Sequence, residues 1–234
     1  MRSHAKEKQI HIAAVLPAAG SSTRMGMNKL LLPLHDVPVL AHTLLAFEQC
    51  PLIESIVIVC REQDIMPYRQ LATAYSCTKV QYIVRGGKTR TESVLAGISA
   101  CADSIDLVAI HDGARPLVSQ AVIHAAITEA IKSGAAAPVV ALKDSIKRVS
   151  QGKIIADVAR DQIAAVQTPQ VFRRTLILSA LKEALASGAT LTDDCAAVER
   201  IGISVSATPG SYRNIKITTP EDIPIAEALF GQEE

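Results

Sequence analysis

The 234 residues, 49% hydrophobic but only 3% aromatic, can bury a large core of small aliphatic side chains. The formal net charge of +1 argues against a general nucleic-acid-binding protein, because binding a phosphate backbone requires a surplus of Lys and Arg. Five scattered cysteines without a C-x-x-C pair argue against a zinc or disulfide framework and favour a cytoplasmic protein. No apolar run reaches about 18 residues, so no transmembrane helix is expected.

Apolar runs alternate with helical patterns along the chain. The runs begin at Ile10 and cover residues 55–60, 79–84, 106–111 and 135–142. Helical patterns follow Pro38, a favourable first helical residue, Thr89, which has Glu92 at capping-box spacing, and Ser119, whose helix ends at Gly134. This order predicts an α/β protein with a doubly wound, mostly parallel sheet, formed by residues 1–234 as one domain.

After these elements comes a predicted β-hairpin at residues 144–160, within a projecting arm of about 143–165. Four of its apolar residues cannot be buried by the hairpin alone, so a partner subunit is expected. They are Ile146, Val149, Ile154 and Val158. A helix at 173–187, a short helix from Thr192, a strand at 203–207, a strand around Lys216 and a final helix are predicted next.

Ligands of doubly wound sheets bind beyond the carboxyl ends of the strands, where three motifs fall. The first, PAAGSSTRMGMNKLLLPL at 17–34, has small residues through which backbone N–H groups can approach a polyphosphate, followed by Arg24 and Lys29 to neutralise its charge. The spacing fits neither G-x-x-x-x-G-K-[ST] nor G-x-G-x-x-G. The alternative is a surface loop with two solvated cations.

The second motif is HDGARPLV at 111–118. Asp112 at a strand end is suited to bind a hydroxyl or assist a metal, and Arg115 can bind phosphate or carboxylate. Asp112 could instead cap a turn and pair with Arg115. His111 is interpreted as a packed or hydrogen-bonded residue rather than a ligand.

The third motif is GGKTRTESV at 86–94, where Gly86 and Gly87 permit close approach of a base or ribose and Ser93 can hydrogen-bond it. A plain strand-to-helix turn is equally consistent with these residues. The TDD sequence at 192–194 is interpreted as a helix cap. Taken alone, Lys216 would be a solvated lysine.

The ordered set of motifs resembles the 2-C-methyl-D-erythritol 4-phosphate cytidylyltransferases of the non-mevalonate isoprenoid pathway. The set comprises PAAG…TRM…NK, GG-x-x-R-x-x-SV, HDGARP, KDSIKR, QTPQ, TDD and NIKITTPED. The similarity runs from about Ile10 to Leu229. It implies a Rossmann-like fold of the nucleotide-diphospho-sugar transferase type, Mg²⁺, and a homodimer joined by the hairpin arm. It also implies transfer of CMP from CTP to the acceptor phosphate, with release of pyrophosphate.

The resemblance also implies roles for individual residues. Arg24, Lys29 and Lys216 would be catalytic, acting on the reacting phosphates. The nucleotide would be bound by Ala18, Ala19, Gly20, Gly86, Gly87, Ser93, Asp112 and Gly113. The acceptor would be bound by Asp112, Arg115, Lys216 and, from the partner's arm, Ser145 and Arg160. Mg²⁺ would be held mainly by CTP phosphates, with Asp112 as a candidate ligand.

This chain departs from many relatives in the short loop between Arg24 and Lys29 and at three residues. Asn28 stands where Pro is common, Ser145 where Thr is, and Lys88 where an acidic residue is. Two other functions stay open on the sequence. One is a cytidylyltransferase for another polyol phosphate, such as ribitol 5-phosphate, or for molybdopterin. The other is a nucleotide-binding regulatory protein without turnover.

Overall fold

The computed structural model describes residues 9–20 and 28–231. Its strands are β1 (Ile12–Pro17), β2 (Pro33–Leu34), β3 (Val37–Pro38), β4 (Ser55–Cys60), β5 (Val80–Arg85), β6 (Leu107–Ile110), β7 (Ala135–Ala141), β8 (Lys147–Ser150), β9 (Lys153–Asp157), β10 (Ala164–Val166), β11 (Gln170–Arg173) and β12 (Ser206–Pro209). Its α-helices are α1 (Val39–Glu48), α2 (Ile65–Ala74), α3 (Arg90–Ser99), α4 (Gln120–Ser133), α5 (Arg174–Ala186), α6 (Asp194–Arg200) and α7 (Asp222–Leu229). Short 3-10 helices cover Lys29–Leu31, Glu62–Asp64 and Arg160–Gln162.

Among the described residues, eight strands form one sheet, in the order β10-β7-β11-β6-β1-β4-β5, with β12 paired to β7. Strand β1 pairs in parallel with β4 and β6, and β4 pairs in parallel with β5. Strand β11 is antiparallel to both β6 and β7, so those two run in the same direction. Only β10 and β11 oppose the common direction, which confirms the predicted α/β, mostly parallel sheet.

Helices cover both faces of the sheet and divide the core into two clusters. Because side chains alternate along a strand, Ala14 and Leu16 of β1 enter one cluster and Ala13 and Val15 enter the other. Residues of α1, α2, α4 and α7 complete the first cluster, and residues of α3, α5 and α6 complete the second. Strands buried on both faces explain the continuous apolar runs in the sequence.

The predicted helix signals are largely confirmed. Thr89 and Glu92 form the capping box of α3. Ser119 caps α4, which ends at Gly134 in the left-handed conformation. The interpretation of Pro38 as the first helical residue was wrong, since Pro38 ends β3 and α1 begins at Val39.

Two further elements differ from the prediction. Helix α2 was not predicted because Pro67 interrupts its pattern, yet Pro67 lies in the first turn, where a missing N–H is tolerated. The strand predicted around Lys216 was wrong: the described segment 214–218 is irregular. Its Ile217 N–H donates to the Ala114 carbonyl oxygen at 2.9 Å without joining a ladder.

The predicted hairpin is confirmed as the pair β8 and β9, a two-stranded sheet separate from the main one. Gln151 and Gly152 have φ values of 48° and 75°, as a type I′ turn requires. Val149 is 60% exposed and Ile154 is 71% exposed, so these apolar side chains lack cover within one chain. Over the described residues, no helix has the length and apolarity needed to cross a bilayer.

Candidate active site

A cavity of about 610 Å³ opens at the carboxyl ends of β1 and β6. It is lined by Pro17, Ala18, Ala19, Gly20, Lys29, Leu30, Gly87, Lys88, Thr89, Arg90, Ser93, Asp112, Gly113, Ala114, Lys216 and Thr218. A second cavity of about 570 Å³ shares Ala19, Gly87 and Lys88 with the first and includes Gly86. The three motifs, which are far apart in the sequence, therefore meet at the edge predicted for ligands.

Not every predicted site residue lies in this cavity. Arg115 lies just behind it, in contact with Asp112. Of the residues that the structure describes, neither Ser145 nor Arg160 of the same chain lines the cavity. Both are exposed near the base of the hairpin, and Arg160 donates a hydrogen bond to the Lys143 carbonyl oxygen at 2.6 Å. Arg24 lies outside the described residues.

The loop after β1 contributes small residues and a lysine. The Ala18 N–H donates to the Val59 carbonyl oxygen at 2.7 Å, so this N–H group is not available to a ligand. Lys29 begins a 3-10 helix capped by Asn28, whose side-chain oxygen accepts from Leu30 N at 3.2 Å. Asn28 also donates to the Tyr68 hydroxyl at 2.9 Å. Asn28 thus anchors the lysine-bearing turn to α2.

Asp112 is the centre of a cluster of cations. Its Oδ2 lies 3.0 Å from Lys216 Nζ and 3.3 Å from Arg115 Nε, and its Oδ1 lies 3.6 Å from Arg90 Nη2. Burial alone would raise the pKa of Asp112, but the charges of Lys216, Arg90 and Arg115 outweigh this effect and hold the pKa well below its usual range. Asp112 is therefore ionised, and the surplus positive charge around it suits an anionic ligand.

His111 is fully buried beside this cluster. Its Nε2 lies 3.2 Å from the Arg115 carbonyl oxygen, which can only accept, so Nε2 carries the proton. Its Nδ1 lies 2.9 Å from the Thr168 hydroxyl, whose oxygen accepts the Asp112 N–H at 3.2 Å. Burial lowers the pKa of His111 to about 4. A neutral imidazole thus braces residues 111–115, as the interpretation of His111 as a hydrogen-bonded residue predicted.

The paired glycines are required by close contacts. A Cβ on Gly86 would lie 2.7 Å from Ser93 Oγ, and one on Gly87 would lie 2.3 Å from Glu92 Cβ. Ser93 Oγ donates to the Thr89 carbonyl oxygen at 2.9 Å and accepts the Gly87 N–H at 3.1 Å. Its remaining hydrogen-bonding capacity in this arrangement is that of an acceptor.

The TDD sequence contains both a cap and a second buried carboxylate. Asp193 caps α6, accepting from Ala196 N at 2.9 Å, which confirms the cap interpretation for this residue. Asp194 is instead 1% exposed and lies 2.7 Å from Arg90 Nη2. Sequence reasoning gave Arg90 no role. The sequence signal that could have indicated a role for Arg90 was its position in the GG-x-x-R motif, at the start of a predicted helix.

The metal-binding capacity of the site is small. No group of three His, Cys, Asp or Glu residues suited to a metal ion occurs among the described residues. Within the described lining of the larger cavity, Asp112 is the single carboxylate. One carboxylate fits an ion such as Mg²⁺, which keeps several waters and binds through one or two carboxylates together with substrate phosphates.

A comparison with known proteins identifies the family. The model of the family described as IspD, 2-C-methyl-D-erythritol 4-phosphate cytidylyltransferase, matches residues 12–232. The chain belongs to this family. A member of the IspD family from Desulforamulus reducens is 46% identical over 224 residues, which cover 94% of this chain and 96% of the relative. The member from Halalkalibacterium halodurans is 43% identical, covering 95% of this chain and 98% of the relative.

Solved structures agree with this assignment. The crystal structure of 4-diphosphocytidyl-2C-methyl-D-erythritol synthase from Anaerococcus prevotii superposes with a TM-score of 0.86 at 31% identity. It covers 96% of this chain and 97% of its own. The IspD structure from Francisella tularensis gives a TM-score of 0.80 at 27% identity. The fold is therefore the Rossmann-like nucleotidyltransferase fold of the IspD family.

Proposed function

We propose that the chain catalyses transfer of CMP from CTP to the phosphate of 2-C-methyl-D-erythritol 4-phosphate. The observation that carries this proposal is the cavity itself, where Lys29, Lys216 and Arg90 converge beside a small-residue loop. A triphosphate and a phosphate monoester repel each other, so an enzyme that joins them must supply positive charge. Catalysis then consists of positioning and charge neutralisation.

The proposed reaction is an in-line displacement. An oxygen of the acceptor phosphate forms a bond to the α-phosphorus of CTP while the bond from that phosphorus to the β-bridging oxygen breaks, and pyrophosphate leaves. The acceptor monoester is largely ionised near neutral pH, since its second pKa is about 6. It therefore needs no strong general base. This requirement agrees with a cavity whose single described carboxylate, Asp112, is held by cations.

CTP would lie along the loops after β1 and β5. We assign its triphosphate to Lys29, Lys216 and Arg24 with the backbone of the loop after β1, and its cytosine and ribose to Gly86, Gly87 and Ser93. The nucleotide-binding set as a whole comprises Ala18, Ala19, Gly20, Gly86, Gly87, Ser93, Asp112 and Gly113. The hydrogen bonds of Ser93 leave it an acceptor, which matches the exocyclic amine of cytosine and not the carbonyl oxygen of uracil. Mg²⁺ would be held by the CTP phosphates, with Asp112 as a candidate ligand, and would neutralise charge on them.

The acceptor would lie against Asp112, Arg115 and Lys216, and a partner subunit would complete its site. Ser145 and Arg160 are absent from the described lining of their own cavity but belong to an arm with exposed apolar residues. A homodimer that buries Val149 and Ile154 would bring these polar side chains to the neighbouring cavity. The arm is therefore proposed to serve both assembly and acceptor binding.

Pyrophosphate release tests the function. The purified protein with Mg²⁺ and CTP is offered 2-C-methyl-D-erythritol 4-phosphate, ribitol 5-phosphate and molybdopterin, with ATP, GTP and UTP as controls. We expect rapid release only with CTP and the methylerythritol acceptor. Preference for another acceptor would reassign the substrate, and CTP binding without pyrophosphate release would indicate a regulatory protein.

A further inference from the structure

Arg90 contacts two buried carboxylates that come from distant parts of the chain, Asp112 after β6 and Asp194 in α6. It is the first residue of α3, and its Nη2 lies 2.7 Å from Asp194 Oδ2 and 3.6 Å from Asp112 Oδ1. We propose that Arg90, anchored by Asp194, is a positioning residue that holds the Asp112 carboxylate in the orientation that binds the acceptor. This inference rests on the proposed function and adds a role for Arg90, which lines the cavity, and for Asp194, which does not.

Asp194 provides a rigid anchor. Gln170 of β11 accepts from both Asp194 N, at 3.0 Å, and Cys195 N, at 3.1 Å. The same side chain donates to Asp193 Oδ2 at 2.9 Å. The first turn of α6 is therefore fixed to the central sheet, and the position of the Asp194 carboxylate is fixed with it.

The two oxygens of Asp112 are used unequally. Oδ2 is engaged by Lys216 and Arg115, whereas the contact of Oδ1 with Arg90, at 3.6 Å, is an ion pair longer than a hydrogen bond. Oδ1 therefore keeps the capacity to accept a hydrogen bond from a hydroxyl group in the cavity. Without Arg90, all the attraction would come from Lys216 and Arg115, and the carboxylate would turn towards them.

Stability alone is a weak reason for this arrangement. Burying an ion pair costs desolvation that its attraction barely offsets, so such pairs stabilise a fold little compared with apolar packing. Burial lowers the pKa of Arg90, but the charges of Asp194 and Asp112 outweigh it and raise the pKa, so the guanidinium stays charged. A charged guanidinium group that contacts two carboxylates instead fixes the positions of those carboxylates relative to each other.

A double-mutant cycle between Asp194→Asn and Asp112→Asn tests the proposal. The measured quantity is kcat/KM for the acceptor, or the acceptor dissociation constant by calorimetry where turnover is too slow. We expect Asp194→Asn to lower kcat/KM about tenfold in the wild-type background but less than about twofold once Asp112 is Asn, because coupled residues are not additive. If Asp194→Asn lowered kcat/KM by the same factor in the wild-type and the Asp112→Asn backgrounds, the proposal would be overturned.

The matched control is Asp103→Asn, which removes the partner of Arg174, 3.2 Å away, in a pair outside the cavity lining. It should change kcat/KM less than about twofold in either background. Should Asp194→Asn fail to fold, Arg90→Lys serves instead, because a lysine keeps the charge but cannot span both carboxylates. An inactive wild type would contradict the proposed function, whereas an active wild type with an additive cycle would contradict only the role of Arg90.

Discussion

Lys29 Nζ donates a hydrogen bond to the Ile217 carbonyl oxygen at 2.7 Å, although the two residues are 188 positions apart. The N–H of Ile217 donates to the Ala114 carbonyl oxygen at 2.9 Å. The backbone of Ile217 therefore links the loop after β1, the loop after β6 and the segment that carries Lys216. Because these parts are joined, Lys29 and Lys216 lie on one cavity with Asp112.

Replacement of Lys29 tests its proposed contact with the phosphates. We expect Lys29→Ala to lower turnover about a hundredfold or more, because a preorganised charge beside the reacting phosphates is lost. Unfolding temperature should fall by only a few degrees, which is about the effect of one lost hydrogen bond. Lys132→Ala, at a 69% exposed lysine, is the control and should leave turnover unchanged. Near-normal turnover of Lys29→Ala would remove this residue from the mechanism.

Gly86→Ala should weaken CTP binding. The added Cβ would lie 2.7 Å from Ser93 Oγ and 3.0 Å from Ala19 Cβ, so the two nucleotide-binding loops must move apart. We expect KM for CTP to rise about tenfold or more, and the rise to be smaller in a Ser93→Gly background, where the clash with the hydroxyl is absent. An unchanged KM for CTP would show that the nucleoside does not lie against Gly86.

Arg160→Ala should raise the acceptor KM and leave the KM for CTP nearly unchanged, because Arg160 is assigned to the acceptor phosphate. Mixing subunits tests whether it acts in the neighbouring site. After refolding or subunit exchange, Lys29→Ala and Arg160→Ala chains should together recover about a quarter of wild-type activity, since each mixed dimer has one intact site. No recovery from mixed dimers would place Arg160 in the site of its own chain.

Ile154→Glu should shift the dimer towards monomers. Ile154 is 71% exposed in one chain, and a charge there would be buried at the proposed interface at a cost of several kcal/mol. Sedimentation velocity should show half the wild-type mass at micromolar concentration, together with a higher acceptor KM. Met66→Glu, at a 59% exposed methionine on α2, is the matched control and should stay dimeric. A wild-type protein that is already monomeric would contradict the arm model.

The buried neutral imidazole of His111 should make folding stability depend on pH. Because burial lowers its pKa from 6.5 to about 4, only the unfolded chain gains a proton at this residue between those values. Stability should therefore be complete above about pH 6.5 and be lost as the pH falls towards 4, by up to about 3 kcal/mol. Urea unfolding of His111→Asn, which cannot titrate, should lack this loss. Identical pH profiles for the two proteins would contradict the assigned protonation state.

Local patterns predicted much of the fold. The central strands and the caps of α3 and α4 were visible as apolar runs and as Thr89, Ser119 and Gly134 at the proper spacing. Helix α2 was missed because Pro67 breaks its pattern. The alternation around Lys216 indicated a strand, yet Ile217 uses its backbone groups to join two loops instead.

The sequence indicated individual residues of the cavity lining but not the contacts between them. The motifs after strands pointed to Lys29 and Asp112, whereas Lys216 was assigned to the site only through the family resemblance. All three residues line one cavity. The pairing of Arg90 with Asp194 could not be predicted, since 104 positions separate them and the contact depends on how α3 and α6 both pack against α5. The hydrogen bond from the Ala18 N–H to the Val59 carbonyl oxygen likewise depends on the register of the strands.

CTP labelled with ³²P at the α-phosphorus tests the central claim most directly. After incubation with Mg²⁺ and 2-C-methyl-D-erythritol 4-phosphate, we expect all transferred label in a cytidine diphosphate-linked polyol and none in pyrophosphate. Label in pyrophosphate, or in CMP without a linked product, would contradict attack by the acceptor phosphate on the α-phosphorus.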